Sequence, residues 1–267
     1  MFYTCKNDRA FKEVFMKEDN KDILKALLES ILKVEIEEID YLNLEKNTSN
    51  INIKRKHFDL HLKTNIGNIQ VEVNGGIKPY TRSRNTAYIC DTYSHEVFVG
   101  EEYFDEKLVI QINFTYGLGE KEKDLRIYKL RDEELKEYVS NLLIYEFNMD
   151  YYMKVWYSKD KEKIEEYKYI IMQNLELADL EKLSKDDRMV KKYMEEIERV
   201  NEDPEIRVYL TEEQDREFRE NTMKNAGIKE GSYKKSLEIA KNMKNLHIDI
   251  NTICKATSLT KEEIENL

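Results

Sequence analysis

Residues 59–74 restrict the fold more than any other segment, because they read as two strands that must turn back on one another, each carrying one acid. Between the run ending in Lys54-Arg55-Lys56-His57-Phe58-Asp59 and the run Asn68 to Asn74 lies Asn65-Ile66-Gly67-Asn68. Asn and Gly tolerate φ > 0, as a tight hairpin requires. A turn centred between Ile66 and Gly67 puts Asp59 opposite Asn74 and one step diagonally from Glu72. Alternate residues of a strand share a face, so Gln70, Glu72 and Asn74 line up while Val71 and Val73 turn to a core. Two carboxylates brought to one point repel unless a cation lies between them. Oxygen donors alone suit Mg²⁺, with Mn²⁺ the alternative, far better than Zn²⁺. His57 and His61 share the face of Asp59, but imidazoles at that spacing are more often cross-strand packing residues than zinc ligands.

An acid, a hairpin and then acid-x-polar on the next strand resembles the PD-(D/E)XK nuclease motif, and the flanks extend the likeness. The matching segments are Asp8-Arg9-Ala10-Phe11-Lys12-Glu13-Val14-Phe15, Phe58-Asp59, Val71-Glu72-Val73-Asn74, Arg84-Asn85-Thr86-Ala87-Tyr88, Gly100-Glu101-Glu102-Tyr103 and Val109 to Gly117. The tail around Ile239-Ala240-Lys241-Asn242-Met243 is also similar. In that order, and over nearly the whole chain, they resemble the recombination-promoting nuclease (Rpn) family, also described as PD-(D/E)XK nuclease family transposases. The resemblance implies an α/β fold: a restriction-endonuclease-like core, a mixed central sheet flanked by helices, with a helical C-terminal extension. It implies a Mg²⁺-dependent DNA endonuclease that hydrolyses phosphodiester bonds in recombination or DNA mobility. Asp59, Glu72 and Asn74 are then the catalytic residues. Asp59 and Glu72 hold the metal, with the Val73 carbonyl as a third oxygen and Asp8, or less strongly Glu13, as a supporting acid on the first helix.

Asn74 departs from the pattern: the fold class usually has Lys there, and this family often has Gln. Lys can orient the attacking water and neutralise charge growing on the phosphorane, whereas Asn keeps only amide hydrogen bonds on a shorter arm than Gln. Phe58 stands where the motif's name has Pro, a structural position. A reading from a different class follows from Asn74: a catalytically weak or inactive nuclease-fold protein serving as a DNA- or protein-binding module. A third, a regulatory or assembly protein acting through its helical half, rests only on the length of the acidic extension.

A net charge of -10 is unfavourable for nucleic-acid binding, which depends on neutralising phosphates. Local charge can override the total. Lys54-Arg55-Lys56-His57 leads into the first acid, and Lys78, Arg82 and Arg84 follow the second, so basic groups bracket the expected site. Lys56, Lys78, Arg82 and Arg84 are the DNA-binding candidates; solvated faces and salt bridges to nearby acids are the plain alternatives. Tyr80, Tyr88 and Tyr93 could stack bases, though helical Tyr at this spacing usually packs in a core.

No run of about 18 apolar residues is present to span a membrane, and no apolar signal segment opens the chain, so a cytoplasmic protein is expected. Cys5, Cys90 and Cys254 are too few and too scattered for a disulfide framework. The texture suggests a nuclease-like core over 1–150, a helical extension over 151–230 and a small helical tail over 231–267. Helices are expected from Asp8 to Lys17, Asn20 (as N-cap) to Leu32 and Arg84 to Val97, the last ended by Gly100. Strands are expected near Ile36 to Leu44, Leu108 to Tyr116, Leu125 to Leu130 and Leu142 to Met149. Beyond Asp150 the expected helices are Tyr151 to Met172, Lys182 to Asn201 and, after a break at Pro204, Thr211 to Asn225. Trp156 reads as a packing anchor. Ser236 to Leu246, Ile250 to Ala256 and Thr260 to Asn266 read as tail helices, with Thr260 and Glu263 forming a capping box and Ile250, Ile253, Leu259, Ile264 and Leu267 a small core. The corner Thr257-Ser258-Leu259-Thr260 resembles a helix-turn-helix, but its acidic second helix favours packing or homo-oligomer formation over DNA reading.

Overall fold

The computed structural model describes residues 2–42, 45–46, 56–57, 59–95 and 107–267, without the side chains of 45–46, 56–57, 95, 213–226 and 228–230. They form two compact units, one ending at Leu210 and one running from Thr211 to Leu267. The changes of texture near 150 and 230 fall inside these units.

The first unit opens with α1 (Asp8–Phe15), a 3-10 turn (Glu18–Asn20) and α2 (Lys21–Leu32). Asn7 caps α1, accepting from the Ala10 N–H at 3.0 Å. Asn20 does not cap α2 as expected. It is buried, and its amide donates to the Val14 carbonyl at 2.8 Å, which ties the end of α1 to the start of α2. The α2 stripe Ile23, Leu24, Leu27, Leu28 and Ile31 is buried, as its spacing predicts.

Next come β1 (Ile39–Tyr41), β2 (Glu45–Lys46), β3 (Lys56–His57), β4 (Leu60–Thr64), β5 (Gly67–Asn74), α3 (Thr81–His95), β6 (Leu108–Thr115), β7 (Leu125–Lys129) and β8 (Leu142–Asn148). The expected strand from Ile36 is shorter, and its end at 43–44 lies outside the described residues, as do Val97 and the Gly100 stop. Six strands form one mixed sheet in the order β1-β4-β5-β6-β8-β7; β5, β6 and β8 run parallel and the other pairings are antiparallel. β2 and β3 pair separately.

The hairpin register corrects the expectation. Thr64 pairs with Gly67 and Leu60 with Val71, so the turn is Asn65-Ile66 and Gly67 opens β5 at φ +136°. One further step sets Asp59 opposite Glu72, not Asn74. Glycine is needed at 67 because β6 passes so close that a Cβ there would lie 2.1 Å from the Leu108 carbonyl oxygen.

The two faces of the sheet differ in chemistry. Ile69, Val71 and Val73 of β5, Ile110, Ile112 and Phe114 of β6 and Phe147 of β8 join Phe11, Phe15 and the α2 stripe in one core. The alternate residues, Gln70, Glu72 and Asn74, Gln111, Asn113 and Thr115, and Glu146 and Asn148, are buried on the opposite face. Helix α3 lies over this polar face. Thr92, Asn85, Arg84 and Arg82 bond to Gln70, Asn113, Asn74 and Glu146 respectively.

After β8 come α4 (Met149–Ser158), α5 (Lys161–Ile171), α6 (Leu177–Leu183), α7 (Arg188–Glu202), α8 (Pro204–Asn245), α9 (Ile250–Thr257) and α10 (Lys261–Glu265). The expected helix 151–172 is two, because Lys159 takes the left-handed conformation at φ 60° and Asp160 caps a new start. Pro204 begins a helix where a break was expected: Asp203 accepts from the Glu205 and Ile206 N–H groups at 2.9 and 3.1 Å. Proline in a first turn lacks only an N–H that the helix does not use. Trp156 packs against the core and donates to Asp179 at 3.2 Å.

In the second unit Ala240, Ile253, Leu259 and Ile264 form the small core, with Ile250 against it; Leu267 stays 37% exposed. The Thr260–Glu263 capping box is present. Cys5, Cys90 and Cys254 are free thiols. Among the described residues no helix is long and apolar enough to cross a membrane.

Candidate active site

The register that aligns the hairpin also builds the site. Asp59 precedes β4 and Glu72 lies in β5; both are buried, at 6% and 2% exposed. Asp59 Oδ2 accepts from the Val73 N–H at 2.8 Å. The Tyr116 N–H donates to the Asn74 carbonyl at 3.0 Å, so the peptide groups of Asn74 face β6. Those of Val73 face the other way, because N–H and C=O of one strand residue point to the same side and alternate along the strand. The Val73 carbonyl therefore points to the Asp59 side.

Two cations close the cluster. Lys12, on α1, lies with Nζ 3.0 Å from Asp59 Oδ1 and 2.9 Å from Asp8 Oδ1. Arg84, on α3, donates to Asn74 Oδ1 at 2.6 Å and stands 3.8 Å from Glu72 Oε2. The Asn74 amide in turn donates to Thr115 Oγ1 at 3.2 Å. Glu13 pairs with Arg9 at 2.5 Å. Among the described residues Glu72 Oε1 is a buried oxygen without a hydrogen-bond partner.

Burial dominates the proton affinities here. It pushes the Glu72 carboxyl up to about 8, although Arg84, the Asp59 backbone N–H and Lys12 pull against it. Burial also raises Asp59 well above the ordinary carboxylate range, with repulsion from Glu72 and Asp8 adding to the effect. For Lys12 burial alone would lower the affinity, but Asp59 and Asp8 more than offset it and the ammonium is held charged.

These donors fit a hard divalent cation. Mg²⁺ is commonly held by one or two carboxylates while keeping waters and substrate phosphates, and here two carboxylates that lie opposite each other, one with an orphaned oxygen, stand beside a backbone carbonyl. Among the described residues no group of three or more His, Cys, Asp and Glu is arranged as a metal cage. The zinc alternative gains no support: His61 is buried across from Gln70, and the His57 side chain lies outside the described residues.

The DNA-binding candidates are placed unevenly. Arg82 is 60% exposed, yet its guanidinium is bound to Glu146 at 3.0 and 3.4 Å. Arg84 is held by Asn74 and Glu72. Lys78 is half-buried just before α3, where its N–H bonds Thr81 Oγ1 at 3.0 Å. Lys56 lies in β3 with its side chain outside the described residues, and Gly100-Glu101-Glu102-Tyr103 lies outside them altogether. Tyr88 sits under Arg84, Tyr93 bonds Asn141 at 3.4 Å, and Tyr80 is exposed.

Lys12, Thr115, Asn113 and Glu146 escaped the sequence reading. Lys12 is one helical turn from Asp8, a spacing that puts both on one face. The other three follow from the alternation of β6 and β8 once their pairing to β5 is known.

No curated protein and no solved structure matches the chain. A family model described as PD-(D/E)XK nuclease family transposase matches residues 5–226. The order of elements, the mixed sheet and the paired acids of the hairpin agree with that match, and the chain belongs to the PD-(D/E)XK nuclease family transposases.

Proposed function

We propose that this protein is a metal-dependent DNA endonuclease of the recombination-promoting type, working in the cytoplasm on DNA that is being rearranged. The observation that carries the reading is the buried pair Asp59 and Glu72, opposite each other across the hairpin and both resistant to losing a proton. Asp59, Glu72 and the Val73 carbonyl would hold Mg²⁺ or Mn²⁺, which supplies Lewis acidity toward a phosphoryl oxygen and a more acidic water.

The protein's own groups supply positioning and charge. Lys12 neutralises Asp59 and offers a cation where the fold class usually draws one from the position of Asn74. Arg84 holds the Asn74 side-chain oxygen Oδ1, so the Asn74 amide group is fixed and can orient water only by its N–H. The exposed side of Arg82, with Lys78 and Lys56, would meet phosphates, and Asp8 supports the site through Lys12. In hydrolysis the water oxygen bonds to phosphorus as the bond to the sugar oxygen breaks. The proton lost by water ends in solvent, and one is gained by the leaving oxygen.

The second reading, a DNA-binding module without turnover, is favoured by one observation: Asn74 is already engaged at both ends of its amide. Supercoiled plasmid incubated with the protein in Mg²⁺, Mn²⁺ or EDTA separates the two. The endonuclease reading expects nicking with metal that Asp59→Asn and Glu72→Gln each abolish. Metal-independent nicking, or nicking that survives both substitutions, would sink it.

A further inference from the structure

A cavity of about 190 Å³ opens beside the acid pair, lined by Arg82, Asn85 and Thr86 of α3, Asn113 of β6, Tyr128 of β7 and Ile144 and Glu146 of β8. Glu72, Asn113 and Glu146 are consecutive partners across β5, β6 and β8, so the cavity floor lies in the same cross-strand row as the proposed metal ligand. Two strand spacings separate Glu72 from Glu146, ~10 Å. A strand with one phosphate at Glu72 can lay a neighbouring base in the cavity.

The lining chooses among ligands. The volume is below the ~300–1,000 Å³ of pockets for drug-sized molecules, so it suits one ring system. Glu146 is 5% exposed and both its oxygens are used, by Arg82 and by the Tyr128 hydroxyl, which donates at 2.8 Å. That pairing cancels the charge of the lining and anchors the Tyr128 ring, which with Ile144 gives an apolar wall. The remaining groups are neutral. Asn85 donates to Asn113 Oδ1 at 2.9 Å, which leaves the Asn113 NH₂ to offer a donor; the Thr86 hydroxyl, donating to the Arg82 carbonyl, can still accept. Among the described residues a phosphate would find no free cation deep in this cavity, whereas a flat, uncharged heterocycle with donors and acceptors on its edge finds a stacking wall and a polar edge.

We propose that this cavity takes a single unpaired nucleobase from the DNA strand whose neighbouring phosphate lies at Asp59 and Glu72, which makes it a determinant of substrate form and sequence. The proposal rests on the endonuclease reading for the direction of the strand, and the experiment separates the two. Single-stranded oligonucleotides carrying 2-aminopurine at successive positions are bound to the full chain with Asp59→Asn, in EDTA, where no cleavage intervenes. The fluorescence should change at one position or a narrow set, and a fully paired duplex should respond less, because a paired base must first be extruded.

Filling the cavity with Ile144→Trp should erase the positional signal and weaken single-strand affinity by about 5- to 150-fold, the range for loss of one base-stacking contact. Tyr128→Ala, on the edge strand, tests the same wall should the tryptophan variant fail to fold, and Tyr128→Phe should keep the signal. A positional signal and affinity unaltered by both Tyr128→Ala and Ile144→Trp would overturn the proposal, as would failure of the parent to bind single strands. Plasmid nicking measured in parallel keeps the outcomes apart. A base signal without nicking strikes the endonuclease reading alone, and nicking without a base signal strikes the cavity alone.

Discussion

Glu72→Gln should make the metal-free protein more stable in alkaline solution and leave it little changed in acid. The Glu72 carboxyl binds its proton more tightly in the folded chain, at about 8, than at its ordinary 4.5. A raised folded value contributes stability that is fully present below about 4.5 and is lost as pH climbs through about 8. At ~1.4 kcal/mol for each tenfold change in proton affinity, that step is worth ~5 kcal/mol. Glutamine has no proton to lose, so variant minus wild type should grow from near zero at pH 4 to several kcal/mol at pH 9. In a unit of this size ~5 kcal/mol corresponds to ~10–20 °C in Tm. Mg²⁺ should narrow the gap by about half. Bound only to the folded wild type, it adds ~2.7 kcal/mol at a hundred times its Kd and nothing to the variant. Urea and thermal unfolding at each pH, in EDTA and in Mg²⁺, measure both effects. Parallel pH profiles for the two proteins in EDTA, or a variant that is the weaker at pH 9, would refute the reasoning about burial.

Three other outcomes follow from contacts already described. Lys12→Met should cut cleavage by about 100-fold and leave DNA affinity in EDTA within tenfold, since one preorganised charge at the reacting centre is lost while the phosphate contacts remain; Lys12→Arg should restore part of the rate. Gly67→Ala should destabilise by ~3 kcal/mol or more in urea unfolding, because its Cβ would meet the Leu108 backbone at φ +136°; Gly76→Ala, with nothing within 4 Å, should fall within ~0.5 kcal/mol of wild type. Asn74→Ala should lower cleavage by about 10- to 1000-fold with DNA affinity nearly unchanged. Asn74→Lys alone sets an ammonium against the Arg84 guanidinium, so activity should recover only when Arg84→Gln is added, as plasmid nicking by the single and double variants would read.

Local chemistry was what the sequence made legible. The apolar stripe of α2, the alternation of β6 and the Thr260–Glu263 box depend on residues a few positions apart, and each forms where its spacing predicts. Interactions that need a distant partner were not legible. Asn20 is a good N-cap by type, yet the Val14 carbonyl takes its amide because α1 folds back onto α2. Pro204 reads as a breaker until Asp203 is seen to hold the two N–H groups that follow it. For Arg82 and Arg84 residue type leaves phosphate contact and a salt bridge both open, and nothing local says that β8 carries Glu146 across from one, or that Asn74 and Glu72 receive the other.

The hairpin shows why a site can be found while its geometry is misjudged. Asn65 and Gly67 are both turn residues by type, and local preference alone centres the turn between Ile66 and Gly67. Tertiary structure decides otherwise. Gly67 belongs to β5, where the close passage of Leu108 in the parallel neighbour admits no side chain, so the turn contracts to Asn65-Ile66. The shift moves the residue opposite Asp59 from Asn74 to Glu72 and keeps side-chain faces intact, because pairing slides by an even number of residues. Asp59 thereby meets an acid instead of an amide. The two carboxylates repel across the hairpin, burial removes the water that would screen them, and Asn74 is left to face Thr115 and Arg84. A glycine required by a strand on its far side thus sets the charge pairing on which the proposed chemistry depends.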